Sequence, residues 1–461
     1  MAISHTIPRS QTPKFLQTTR WMLDPAGYLH KKFDRHGDIF QAAIAWGRAE
    51  CCLLSNPQAI QYLLTHDTGK ELSAPGELNQ IVEPLVGSKS VMLLSGSAHR
   101  NRRRLTMPPF HGEHLATYAQ LIAQVTEGAI TQWSPGDTIN VRKTMQKITM
   151  RVILQVVFGL YEGDRYEQLE QLLGRRMDMT ATPASSILIF LPWLTKDVGD
   201  WSPGGRLRQM TEKTDELLFA EIEERRANLD ANLAPERLDI LSLLLAARDE
   251  EGNQLSNREL RDELMTLLVA GHETTATALT WAMYWIHSRP EVKKKLVEEL
   301  QTLNSSKDNS PKDIEQVLQL PYLSAVCDET LRIHPVAMLT FPRQVEKPVD
   351  IGLYHFEPGT ILMGCIYLLH QREDLYPKPE QFRPERFLER QFSPYEFMPF
   401  GGGVRRCIGT ALAKYEMKIA LSTILSQADL SLANSHPVRP ARRGITLSQN
   451  TSVQINVNSR L

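Results

Sequence analysis

The most informative run of residues in this chain is Phe400-Gly401-Gly402-Gly403-Val404-Arg405-Arg406-Cys407-Ile408-Gly409. Its glycines allow the backbone to turn at positive φ and to approach a flat ligand closely. Its arginines place positive charge beside the cysteine, and a helix-like run from Ala411 to Leu425 follows. Neighbouring cations and a helix N-terminus both lower the pKa of a thiol, so we expect Cys407 to be a thiolate, the form that binds metal.

A single thiolate with no second Cys or His nearby cannot form a closed zinc site, because such a site needs four protein ligands. It suits a metal whose other ligands come from a macrocycle. Two alternatives are more ordinary: a lone buried cysteine is usually a small core residue, and a glycine triplet can cradle phosphate. A phosphate loop requires Gly-Lys-Ser/Thr or G-x-G-x-x-G after a strand, whereas this triplet runs into Val-Arg-Arg-Cys.

The run resembles the haem-ligand signature of the cytochromes P450, Phe-x-x-Gly-x-Arg-x-Cys-x-Gly. It meets the fixed positions at Phe400, Gly403, Arg405, Cys407 and Gly409. In that family a cysteine thiolate holds the haem iron. The resemblance implies a mainly α fold with a small β part, in one P450 domain over 1–461 whose first 20 residues are an extended N-terminal segment. Haem would lie between a long central helix and the loop that carries the cysteine.

The chemistry that the resemblance implies is monooxygenation, in which one atom of O2 is inserted into a C–H bond of a lipophilic substrate. The implied cofactors are haem b and O2, with NAD(P)H acting only through redox partners. A separate ferredoxin or flavodoxin-type donor with its reductase would supply electrons to a monomeric enzyme. Two other functions stay open: a peroxide-driven or isomerising haem-thiolate enzyme, and a non-enzymatic haem-binding sensor.

The composition is that of an ordinary globular protein, with 42% hydrophobic and 23% charged residues. A net charge of −1 argues against a general nucleic-acid binder. The five cysteines include no C-x-x-C pair and give no disulfide framework, so we expect a reducing compartment, the cytoplasm. Residues 1–17 resemble neither a signal peptide nor a membrane anchor. The apolar run 187–194 is either lid packing or the rim of a substrate channel.

A long central helix is predicted to begin at Ser256 and to end before Pro290. Ser256 and Glu259 form a capping box at its start, and proline disfavours helix in the residue before it. Roughly 32 residues at 1.5 Å each would span about 48 Å. Its middle carries Ala270-Gly271-His272-Glu273-Thr274-Thr275, where a glycine and a buried glutamate both lower stability unless something requires them.

This middle run is similar to the oxygen-activation motif of the P450 family. The resemblance implies that Ala270 and Gly271 leave room for O2 above the iron. It also implies that Thr274 and Glu273 are the catalytic residues, which deliver protons. The ordinary alternative is a threonine that satisfies a backbone carbonyl and a glutamate at the surface.

A basic run, His99-Arg100-Asn101-Arg102-Arg103-Arg104, is predicted to lie on a helix. Such a run is often a solvated face or a nucleic-acid patch. His99 and Arg103 are four residues apart and therefore share a helix face. The resemblance assigns both, together with Arg343, to the haem propionates. The remaining arginines of the run would face an acidic redox partner: Arg100, Arg102 and Arg104.

Glu329 and Arg332 lie three residues apart on a predicted helix and face the same way. An ion pair at this spacing is usually exposed and weak, but the residues around this pair are apolar. The pair matches the Glu-x-x-Arg of P450s, in which Arg386 would be the third member. We expect a structural role for the three, with two arginine forks gripping one buried carboxylate.

The resemblance also predicts an apolar substrate pocket lined by Leu264, Leu267, Leu268, Val336, Met338, Leu339 and Ile445. Such a pocket accepts long-chain fatty acids or alkanes, which we expect first, and terpenoids, which we expect second. The first predicted hairpin carries Gly47-Arg48, a spacing that loosely resembles P450s that hold a fatty-acid carboxylate there. An arginine in a turn is more often only solvated.

Alternation of apolar and polar residues predicts short strands over 339–343 and 344–368, and a hairpin over 445–457. Residues 71–95 contain Pro and Gly at several positions and are predicted to form a loop. In the P450 family the corresponding segment is mobile and helps to select the substrate.

Overall fold

The computed structural model describes residues 6–44, 50–179, 196–230, 238–303, 311–434 and 436–461. Two sequence features, the turn at Gly47-Arg48 and the apolar run 187–194, lie outside these residues. Within them the protein is mainly helical with a small β part, as predicted. No described helix combines the length and the apolar composition that crossing a membrane requires.

The helices are α1 (Lys14–Leu23), α2 (Pro25–His36), α3 (Pro57–Thr65), α4 (Glu83–Val86), α5 (Gly96–Thr106), α6 (Glu113–Ile130), α7 (Val141–Phe158), α8 (Asp164–Asp178), α9 (Pro203–Asp230), α10 (Ile240–Ala246), α11 (Asn257–Ser288), α12 (Pro290–Gln301), α13 (Pro311–Gln319), α14 (Pro321–Ile333), α15 (Ile366–His370), α16 (Arg386–Glu389) and α17 (Thr410–Gln427). The strands are β1 (Ile39–Ala42), β2 (Cys51–Leu54), β3 (Leu72–Ser73), β4 (Thr138–Asn140), β5 (Arg343–Val345), β6 (Val349–Ile351), β7 (Tyr354–Phe356), β8 (Ile361–Gly364), β9 (Ala428–Leu432), β10 (Pro440–Arg443), β11 (Thr446–Gln449) and β12 (Gln454–Arg460). Short 3-10 helices lie at Gly76–Val82, Pro108–Phe110 and Gly403–Arg405.

The central helix is α11, and it begins with the predicted capping box. The Ser256 hydroxyl accepts the Glu259 N–H at 3.3 Å, and the Glu259 carboxylate accepts the Ser256 N–H at 2.9 Å. The helix has 32 residues and so spans roughly 48 Å. The next helix starts at Pro290, as the proline predicts. The largest hydrophobic cluster of the protein surrounds α11 and includes residues of α6, α7, α14 and α17.

The strands of the described residues form four small sheets. The largest has five strands in the order β1-β2-β8-β5-β3, and a three-stranded sheet has the order β4-β12-β9. Two hairpins, β6-β7 and β10-β11, complete the set. β2 and β8 run parallel, and the other described pairs are antiparallel. Two smaller hydrophobic clusters cover opposite faces of the five-stranded sheet, because Cys52 and Leu54 of β2 belong to one and Cys51 and Leu53 to the other. Both are separate from the core around α11.

Several predictions of local structure were wrong. Residues 339–343 form no continuous strand, because Leu339 makes only an isolated bridge with Cys365 and β5 begins at Arg343. The C-terminal hairpin pairs β10 with β11, whereas β12 pairs with β9 and β4. Segment 71–95 contains β3, a 3-10 helix and α4. Alternation along a strand identifies the strand but does not identify its partner.

Glu329, Arg332 and Arg386 form a buried ionic group at the end of α14. Arg332 donates from Nε and Nη2 to the two oxygens of Glu329, at 2.7 and 2.9 Å. Arg386 adds a single bond from Nε at 3.1 Å instead of the second fork that we expected. The other nitrogens of Arg386 donate to backbone carbonyls between Pro377 and Gln381. The group therefore ties α14 to the segment that leads to the cysteine loop (400–409).

Replacing Arg332 with Ala should lower the free energy of unfolding by about 3–5 kcal/mol, because it leaves the buried Glu329 carboxylate without its bidentate partner. A denaturant titration of the purified variant measures this loss. Arg383→Ala is the matched control, because Arg383 pairs with Glu389 at the surface and exposed pairs contribute up to about 1 kcal/mol. Equal stabilities for the two variants would contradict the structural role.

Candidate active site

The shape of the cysteine loop depends on glycine. Gly401 and Gly403 have φ angles of 65° and 63°, where a side chain is strained. A Cβ on Gly403 would stand 2.1 Å from Asp67 Oδ2 and 2.9 Å from the Leu64 carbonyl oxygen. Asp67 accepts the backbone N–H of Val404 at 3.1 Å. The loop is therefore held against the residues after α3, and position 403 requires glycine for space as well as for its backbone angle.

Cys407 is the one exposed cysteine of the chain's five, all of which lie in described residues. Burial raises the pKa of Cys407 above its ordinary value, although the residue keeps accessible surface. The Gly409 backbone, the Thr410 hydroxyl and the Arg103 guanidinium lower this pKa by less. Desolvation therefore outweighs the expected lowering of this pKa by the cations, but the thiolate that we predicted as the metal-binding form does not depend on that lowering. A bound metal ion removes the proton itself.

Cationic side chains gather beside the cysteine loop. Burial lowers the pKa of His99 to about 3, helped by Arg405, Arg103 and Arg343, so this histidine is neutral in neutral solution. Burial, and then repulsion from Arg343, lowers the pKa of Arg405 to about 10. Burial also lowers the pKa of Arg343, while the Asp67 carboxylate raises it. A cluster in which cations lower each other's pKa values fits a ligand that brings negative charge.

Two of these arginines also fix the polypeptide. Arg343 donates from Nε to Asp67 at 2.8 Å and from Nη2 to the Gly402 carbonyl at 3.0 Å. Arg405 donates to three backbone carbonyls in segment 74–94. Arg343 therefore links the cysteine loop to Asp67, and Arg405 links the same loop to the segment before α5.

The central helix is enclosed except in its middle. Between Leu260 and Met283, accessible surface remains only on Leu267, on residues 269–271, on Glu273 and on Thr274. These residues cover about two helical turns. An accessible stretch in the middle of a helix that is otherwise packed on all sides indicates an internal space beside it. The stretch includes the run that resembles the oxygen-activation motif.

The small residues of this run have different surroundings. Thr274 Oγ1 donates to the Ala270 carbonyl at 2.5 Å, so the hydroxyl is satisfied within the helix. A Cβ on Gly271 would lie 2.8 Å from Cδ1 of Ile153 in α7. The missing side chain of Gly271 therefore makes room for α7, which is a different reason for glycine from the one expected. Ala270 keeps accessible surface.

Glu273 is paired within the protein. It forms ion pairs with Arg142, at the start of α7, and with Arg443, at the end of β10, the latter at 3.3 Å. Gln146 Nε2 donates to its second oxygen at 3.0 Å. Two cations therefore offset the penalty of placing this carboxylate in the interior. Sequence reasoning missed both arginines, because neither belongs to a motif and both are far from Glu273 in the sequence.

One basic residue lies elsewhere than expected. Arg102 was predicted to face a redox partner, but it is buried and pairs with Glu263 of α11 at 2.9 Å. Position 102 lies three residues after the buried His99 and so turns toward the same side of α5. Arg100 and Arg104 are exposed, as expected.

The predicted pocket residues differ in their exposure. Leu264 and Leu268 keep 0% and 1% of their surface and pack into the core, where they support the wall instead of forming it. Val336 and Met338 are also buried, at 8% and 6%, and belong to core clusters. Leu267, Leu339 and Ile445 keep accessible surface, as a lining requires. Ile445 is 47% exposed at the turn between β10 and β11.

These features together fit one kind of cofactor. No group of three or more His, Cys, Asp or Glu side chains among the described residues could hold a metal ion, so a metal at Cys407 must bring other ligands. A haem brings four nitrogen ligands in a flat ring and two propionates. These match the glycine-rich loop, the neutral imidazole of His99 and the cations of Arg103, Arg343 and Arg405. The fold and the site define a haem-thiolate protein.

Comparison with known proteins gives the family. The family model described as Cytochrome P450 matches residues 14–457. The chain is 35% identical over 425 residues to cytochrome P450 135B1 of Mycobacterium tuberculosis, covering 92% of this chain and 85% of that protein. It is 32% identical over 448 residues to cytochrome P450 138 of the same species, covering 96% and 93%. The solved structure of the retinoic acid-bound cyanobacterial CYP120A1 matches with a TM-score of 0.82 at 23% identity, covering 99% of each chain.

This chain belongs to the cytochrome P450 family. It is a haem-thiolate monooxygenase, an enzyme that uses haem and O2 and needs redox partners for its electrons. The structural neighbour, at 23% identity, bears on the fold alone.

Replacing Gly403 with Ala should lower the free energy of unfolding by about 1–3 kcal/mol, because the new methyl group meets Asp67 and the backbone at a strained φ angle. A denaturant titration of the cofactor-free protein measures this. Gly409→Ala is the matched control in the same loop, because a Cβ there meets nothing within 4 Å. If both variants lost the same stability, the fit between Gly403 and Asp67 would not be what holds the loop.

Proposed function

We propose that this monooxygenase hydroxylates a C–H bond of a lipophilic substrate, a fatty acid or alkane first and a terpenoid second. The observation that carries the proposal is the accessible surface between Leu267 and Thr274, in a part of α11 that is otherwise buried from Leu260 to Met283. Leu339 and Ile445 add apolar surface that is not buried in the core. A mostly apolar space with a few placed polar groups is typical of small-molecule sites.

Each candidate residue then has a role in holding the cofactor. Cys407 would bind the iron through its sulfur, and haem b held in this way supplies the activation of O2 and the oxygenation of a C–H bond. The propionates would be bound by His99, Arg103, Arg343 and Arg405. Phe400 and the glycines of the cysteine loop would let the backbone approach the ring. Glu329, Arg332 and Arg386 would keep this loop in place from behind.

Proton delivery would fall to Thr274 and Glu273. The Thr274 hydroxyl now donates to the Ala270 carbonyl, so it must rotate about χ1 to serve a ligand. The Glu273 carboxylate is held by Arg142 and Arg443, so it must leave one of them to collect a proton. Proton transfer would therefore depend on movement at these ion pairs.

Electrons would come from a ferredoxin or flavodoxin-type donor, whose reductase oxidises NAD(P)H. The exposed Arg100, Arg104 and Arg406 fit an acidic donor, because complementary charge speeds such encounters. We further propose that residues 1–461 form one domain, which acts as a monomer in the cytoplasm.

A binding screen tests the substrate class. Haem-loaded protein is titrated with long-chain fatty acids, alkanes and terpenoids, and the spin state of the iron is followed by absorption. Retinoic acid is included because the cyanobacterial neighbour binds it. Ligands that shift the spin state are then incubated with ferredoxin, its reductase and NAD(P)H, which should yield hydroxylated product. The absence of a shift with every lipophile would contradict the proposal, and turnover with peroxide alone would favour the peroxide-driven alternative.

Replacing Thr274 with Ala should uncouple the enzyme, so that the yield of product per NAD(P)H falls several-fold while peroxide rises. The reason is the loss of a positioned proton donor, and Thr274→Ser should restore the yield because it keeps the hydroxyl. Thr280→Ala is the matched control, because Thr280 donates to the Ala276 carbonyl at 2.7 Å in the same helix. An unchanged yield in Thr274→Ala would remove this residue from proton delivery.

A further inference from the structure

Glu273 shares its single negative charge between two arginines. Arg142 and Arg443 both form ion pairs with its Oε1 oxygen. Among the described residues neither arginine pairs with another carboxylate. The remaining partners of Arg142 are neutral, the Ser448 hydroxyl and the amide oxygen of Gln449. The group therefore carries one positive charge in excess.

Of the two arginines, Arg443 is the one whose charge a ligand can reach. The Arg142 side chain is 10% exposed and uses both terminal nitrogens in hydrogen bonds within the protein. The Arg443 side chain is 20% exposed, and in the described part of the chain its terminal nitrogens donate to no protein atom. Neither of these nitrogens is buried without a partner. Arg443 therefore has a charged fork whose donors are open to a ligand.

Arg443 lies close in sequence to a residue of the proposed substrate space. It is the last residue of β10, two residues before Ile445, which is exposed at the hairpin turn. Its partner Glu273 lies in the accessible stretch of α11, next to Thr274. The predicted lining residues that keep accessible surface, Leu267, Leu339 and Ile445, are apolar and offer no counter-charge to a cation. A carboxylate is the anion whose geometry matches an arginine fork.

The electrostatics of Arg142 give independent support. The pKa of Arg142 is lowered to about 10, mainly by burial, while Glu273 raises it and Arg443 lowers it. A second anion near Arg443 would relieve this repulsion.

We propose that Arg443 binds the carboxylate of the substrate, so that the preferred ligand is a lipophilic carboxylic acid and not an alkane or a neutral terpene. This inference rests on the proposed function and narrows its substrate class. The Arg443 fork takes the carboxylate, Arg142 keeps Glu273, and the apolar chain of the ligand lies along the uncharged part of the lining.

The test compares ligands that have the same hydrocarbon chain length but differ in whether they carry a carboxylate. Palmitic acid, methyl palmitate and hexadecane are titrated into the haem-loaded enzyme, and affinity is taken from the spin-state shift and from calorimetry. Palmitic acid should bind at least about ten-fold more tightly than the methyl ester. A tenfold ratio of dissociation constants corresponds to ~1.4 kcal/mol, which a charged hydrogen bond contributes. Arg443→Gln should remove this advantage and leave the affinity for the ester unchanged.

Arg439→Gln is the matched control. Arg439 is exposed just before β10, carries the same charge and contacts Glu273 in no described interaction. It should keep the preference for the acid. Glu273→Gln should strengthen acid binding, because the ligand no longer shares the arginines with a protein carboxylate. Haem content and circular dichroism establish that each variant is folded, and if Arg443→Gln does not fold, Arg443→Lys and Glu273→Gln carry the test.

Two results would overturn the proposal. One is equal affinity of the wild-type enzyme for palmitic acid and its methyl ester. The other is an equal loss of acid binding in Arg443→Gln and Arg439→Gln, which would assign the effect to the general charge of the surface. Binding of the ester and the alkane without the acid would sink this inference and leave the proposed monooxygenase function standing, whereas a failure of every lipophile to bind would contradict both.

Discussion

The position of Cys407 depends on one carboxylate, that of Asp67. Its oxygen accepts hydrogen bonds from Arg343 Nε and from the Val404 backbone, at 2.8 and 3.1 Å. The same oxygen would stand 2.1 Å from a Cβ on Gly403, so the loop can close on Asp67 only with glycine at that position. A small residue, a buried arginine and a carboxylate thus fix the backbone that presents the sulfur. The glycines of the cysteine loop are therefore needed for the protein's own packing as well as for approach to a flat ligand.

Two groups of buried or partly buried side chains in this protein carry more positive than negative charge. Around the cysteine loop, the positive charges of Arg103, Arg343 and Arg405 are opposed by Asp67 and Glu77, and the excess fits the propionates of haem. Near the middle of α11, Arg142 and Arg443 have Glu273 as their one carboxylate partner in the described part of the chain. By contrast, Glu329, Arg332 and Arg386 are tied to one another and to backbone carbonyls without an open donor set. The donor set separates these groups: arginines whose nitrogens are all bonded within the protein hold the backbone, whereas Arg443 has open donors that can bind a ligand directly.

Several features that depend on residues close together in the sequence were predicted correctly. The capping box of α11 and the ends of that helix follow from residues that are neighbours in the chain. The motif around Cys407 and the Glu329–Arg332 pair are also local. Their spacing is enough to predict which side chains come together.

The features that could not be predicted depend on burial and on partners that are distant in the sequence. Arg102 is drawn inward by Glu263, and Glu273 is paired by Arg142 and Arg443, which no spacing rule connects. Gly271 is required by Ile153 of α7. The pKa of Cys407 depends on how much protein surrounds its sulfur, a quantity that the neighbouring arginines do not reveal.

The account rests on a bond between the sulfur of Cys407 and a haem iron, and the absorption spectrum of the reduced, CO-bound protein tests it most directly. The purified, haem-loaded protein should show the band of thiolate-ligated haem, and Cys407→His should lose that band while still binding haem. A folded wild-type protein that takes up haem and shows instead the spectrum of nitrogen-ligated iron would contradict the account.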